Sequence, residues 1–93
     1  MPRELNPEDS ARLDEWVAAV ADALGVTTPV PVSSLLAIAG DVAHQALRPA
    51  SPVTGFLLGA ALASTPSLSA DEALARVREV LAAFVAAHPE SQG

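Results

Sequence analysis

Apolar residues recur at spacings of three and four along most of this chain, and four segments carry that period. In the first, Leu13, Trp16, Val17, Val20 and Leu24 fall on one face, as they do in an amphipathic helix. Ahead of them, Asn6-Pro7-Glu8-Asp9 offers a capping side chain, a proline suited to the first helical position and two acids for the positive helix end. Gly25 is suited to the left-handed residue that closes a helix. The pattern predicts a helix over 7–24.

Val26 to Val32 is a connector, interrupted by Pro29 and Pro31. A second helix is expected over 34–47, capped by Ser33, with Leu35, Ile38, Ala39, Val42 and Ala46 inward. Pro49 stops it near Leu47, because proline disfavours helical backbone in the residue before it. Ser51-Pro52 repeats the cap-then-proline order and opens a third helix over 52–63. That helix is apolar nearly all round, which predicts central burial or an oligomer contact. Gly55 and Gly59 would let another backbone approach it closely. Tight packing inside the domain is the expected use of that pair, and a homodimer is the alternative. Ser69-Ala-Asp-Glu72 has the form of a capping box and starts a fourth helix over 70–87. Its inward set is Leu74, Val77, Leu81, Phe84 and Val85, and His88-Pro89 ends it. Residues 1–5 and 89–93 are expected to fray. No alternating strand pattern competes, so the expected fold is all-α, a small four-helix bundle forming one domain over 1–93.

Composition narrows the chemistry. The 93 residues are 51% hydrophobic with a net charge of −6, enough apolar material for one core without staples. A stability of roughly 5–14 kcal/mol is expected at this length. Cysteine and lysine are both missing, which removes disulfides, thiolate catalysis and lysine-based phosphate or Schiff-base chemistry. Five arginines among eleven acids argue against nucleic acid, which needs clustered positive charge. The most apolar run, Val53 to Ala63, spans only about 17 Å as a helix against roughly 30 Å of hydrocarbon. No membrane span and no targeting leader are expected, and a cytoplasmic location follows as an expectation.

Candidate chemistry gathers in one place. Between Ala23 and Ala70 the formal charges are Asp41 and Arg48, and His44 lies between them. On a continuous helix the three would form one polar stripe, running into the proline corner before helix three. Arg48, His44, Asp41, the Ser51 and Thr54 hydroxyls and a nearby helix N-terminus together make a candidate anion or partner site. The competing reading is structural: Arg48 binds carbonyls at the end of helix two and braces the corner, with Asp41 neutralising it. Neither a zinc ligand spacing nor a nucleophile elbow is present. No catalytic residue and no metal ligand is therefore assigned, and an enzyme is not expected.

The string Asp41-Val-Ala-His44-Gln-Ala-Leu-Arg48-Pro49-Ala-Ser-Pro52-Val-Thr54-Gly-Phe56-Leu-Leu-Gly59, with the opening Leu13-Asp-Glu-Trp16-Val, resembles a small actinobacterial family, domain of unknown function 6457. That family is found alone or at the C-terminus of MobA-like molybdenum cofactor guanylyltransferases. The resemblance covers about Leu13 to Val85 and is least typical at the Pro29–Pro31 connector. It implies an accessory role beside molybdopterin guanine dinucleotide assembly, with a MobA-like nucleotidyltransferase as partner or a phosphorylated pterin as ligand. It implies no established activity and no known cofactor. A purely structural or homodimerising domain is the other expectation.

Overall fold

The computed structural model describes residues 6–88. The described residues are all-α, with four helices in the expected order: α1 Pro7–Leu24, α2 Val32–Gln45, α3 Ala50–Ser64 and α4 Ala70–Ala87. The expectation that 1–5 and 89–93 fray falls on residues outside those described, as does Pro89. The chain divides into two compact units, one ending at Val30 and one beginning at Pro31.

The first unit contains α1. Its start is set by Asn6, whose Oδ1 accepts from the Asp9 amide at 2.8 Å, while Pro7 occupies the first turn. Its end is set by Gly25 at φ 70°. There the Val26 amide reaches back to the Ala21 carbonyl at 2.8 Å, satisfying a carbonyl that a helix end leaves open.

In the second unit, α2, α3 and α4 each touch the other two. Their shared centre is Ile38 and Val42 from α2, Leu58 from α3, and Ala73 and Leu81 from α4. Leu35, Ala46, Leu62, Leu74, Val77 and Val85 pack around it. The inward faces expected for α2 and α4 are largely those observed. Phe84 is the departure, for it stacks on His88 one turn later with ring centroids 4.2 Å apart. The small Ala73 is buried instead. Every buried side chain among the described residues is apolar.

Both ends of α2 and the start of α3 differ from expectation. α2 begins at Val32, with Pro31 in the cap position and no side-chain cap, so Ser33 lies inside the first turn. Its first bond runs from the Leu35 amide to the Pro31 carbonyl, at 2.9 Å. α2 also ends at Gln45, two residues short of 47. A proline ring clashes with the carbonyl four residues back and restrains the residue before it, so Pro49 acts further upstream than its immediate neighbour. α3 then begins at Ala50, with Pro49 as its cap and no side-chain cap bond. Ser51 is thus an ordinary first-turn residue, and the capping role expected of it does not occur.

α3 is not centrally buried either. Leu58 is its one buried residue, and Val53, Phe56 and Leu57 are mostly exposed. A Cβ added at Gly55 or Gly59 would meet nothing within 4 Å. The pair is therefore not there for tight packing inside this unit, contrary to that expectation. α4 starts as expected. The Ser69 Oγ accepts from the Glu72 amide at 3.1 Å, and the Ser69 amide donates to Glu72 Oε1 at 3.2 Å.

Candidate functional site

Asp41, His44 and Arg48 do not form one helical stripe, because α2 ends before Arg48. Asp41 and His44 are on the last two turns of α2, and Arg48 is in the turn beyond. Asp41 is drawn toward α4: its Oδ2 accepts from Arg78 Nη1 at 2.8 Å. Both partners are about half exposed, so the pair is a surface clamp between α2 and α4. The acid expected to neutralise Arg48 is thus engaged elsewhere.

The corner itself is held by backbone. The Ala46 and Leu47 amides both donate to the Val42 carbonyl, at 3.0 and 3.1 Å. The Ala50 amide donates to the Leu47 carbonyl at 3.0 Å, and the Ser51 amide to the Arg48 carbonyl at 3.2 Å. Among the described residues the Arg48 and His44 side chains make no hydrogen bond and no ion pair, and both are exposed. Arg48 therefore does not brace these carbonyls.

The same bonds limit anion binding by the start of α3. Ala50 and Ser51 have their amides occupied, and Pro49 and Pro52 have none. A helix N-terminus holds an anion through unbonded amides, and here those of the first two residues are bonded. Thr54 is committed in the same way, its hydroxyl donating to the Ala50 carbonyl at 2.8 Å. Of the donors expected for an anion here, the Arg48 guanidinium is exposed and without a partner among the described residues.

Ser51 and Thr54 also line a groove of about 310 Å³ between α2 and α3, with Leu35, Leu36, Ala39 and Gly55. It contains neither His44 nor Arg48. A second groove, of about 320 Å³, lies between α3 and α4 and is lined by Leu57, Ala61, Val77 and Val80, with Arg76 at its edge. The five candidate residues thus separate into two exposed side chains, Arg48 and His44, a clamped acid and two residues that line a groove.

Asp41 and Arg78 are 37 residues apart, and no local spacing signals such a pair. Among the described residues there is no group of three or more His, Asp or Glu side chains placed to hold a metal ion. Nor, among the described residues, is any helix long and apolar enough to cross a membrane.

No curated protein and no solved structure shows significant similarity to the chain. A family model does match it, over residues 8–92, and that span includes all of the corner just described. The chain belongs to the family described as Domain of unknown function (DUF6457).

Proposed function

We propose that this chain is a non-catalytic interaction module that presents Arg48, with His44 four residues before it, to an acidic group on a partner protein. The observation that carries the reading is the Arg48 side chain. It is exposed and without a partner among the described residues, while backbone bonds close the corner and Asp41 is held by Arg78. A guanidinium left unpaired is a strong, directional donor for a carboxylate or phosphate, and arginines of this kind often dominate interfaces. The occupied amides at the start of α3 favour a partner carboxylate over a small phosphate ligand.

The likeness of the Asp41–Thr54 string to a domain that accompanies MobA-like guanylyltransferases supports a specific setting. The partner is such a nucleotidyltransferase, and the role is accessory to molybdopterin guanine dinucleotide assembly in the cytoplasm. A phosphorylated pterin at Arg48 is the form this reading takes if the ligand is small.

Calorimetric titration of the chain into a MobA-like guanylyltransferase, with and without guanine nucleotide, tests it. Binding in the micromolar range is expected, weakened about tenfold or more by Arg48→Ala, a change of roughly 1.4 kcal/mol or more. Absence of binding to the enzyme and to its pterin product alike would remove the reading.

A further inference from the structure

We draw no further inference here: the strongest candidate, the apolar groove between α3 and α4 lined by Leu57, Ala61, Val77 and Val80 with Arg76 at its edge, is an unpartnered face, and nothing in the structure shows what covers it.

Discussion

Asp41 and Arg48 are the only formal charges in the long apolar middle of the chain, yet they meet different fates. Asp41 bonds Arg78 across two helices at 2.8 Å. Because both groups are about half exposed, water and salt screen the attraction, and a double-mutant cycle should return about 0.2–1 kcal/mol. The fold lowers the pKa of Glu72. The Ser69 backbone amide, and then its hydroxyl, hold the Glu72 carboxyl below the ordinary carboxylate range. Its folded-state pKa therefore lies under its unfolded value. The stabilisation it gives is present at neutral pH and fades as pH falls through the folded value. Glu72→Gln should lower the thermal midpoint at pH 7, and the difference from the unaltered chain should shrink as pH falls through the folded value. A loss that does not change with pH would show that charge plays no part in the cap.

At the scale of elements, the termini that local chemistry specifies are the ones legible in the sequence. Asn6, Gly25 and the Ser69–Glu72 box each act within a few residues, and α1 and α4 occupy the expected spans. The α2–α3 corner was harder to read. Its boundaries depend on how Pro49 restrains several upstream residues and on turn bonds such as Ser51 to Arg48. α2 consequently ends, and α3 begins, two residues earlier than expected, while the early start of α2 belongs to its other end, where Pro31 takes the cap position. The Asp41–Arg78 pair was not legible at all, since periodicity reports faces within a helix and not which faces meet. Glycine placement gives a prediction at this scale. Gly40 lies inside α2, and a Cβ there would meet nothing within 4 Å. Gly40→Ala should stabilise the chain by about 0.5–1 kcal/mol through helix propensity alone, read as a higher midpoint in thermal denaturation. A lower midpoint would mean that something approaches that backbone closely.

The molecule as a whole concentrates its core in few residues. Ile38 is its most enclosed large side chain, at 2% exposure, at the centre of α2–α4. Ile38→Ala should cost about 2–5 kcal/mol, a large part of the roughly 5–14 kcal/mol expected for a chain of this length. Urea unfolding should show the loss as a lower midpoint with little change in slope. Among the described residues the interior is apolar, and the charged groups are on the surface. The account rests on Arg48 being displayed at the α2–α3 corner and not used to build it. Equilibrium urea unfolding of Arg48→Ala tests that claim most directly. The account predicts a stability within about 0.5 kcal/mol of the unaltered chain, as for a surface side chain without partners. A loss of about 1.5–3 kcal/mol, the scale of a charge-assisted hydrogen bond, would contradict it and return Arg48 to the structure of the corner.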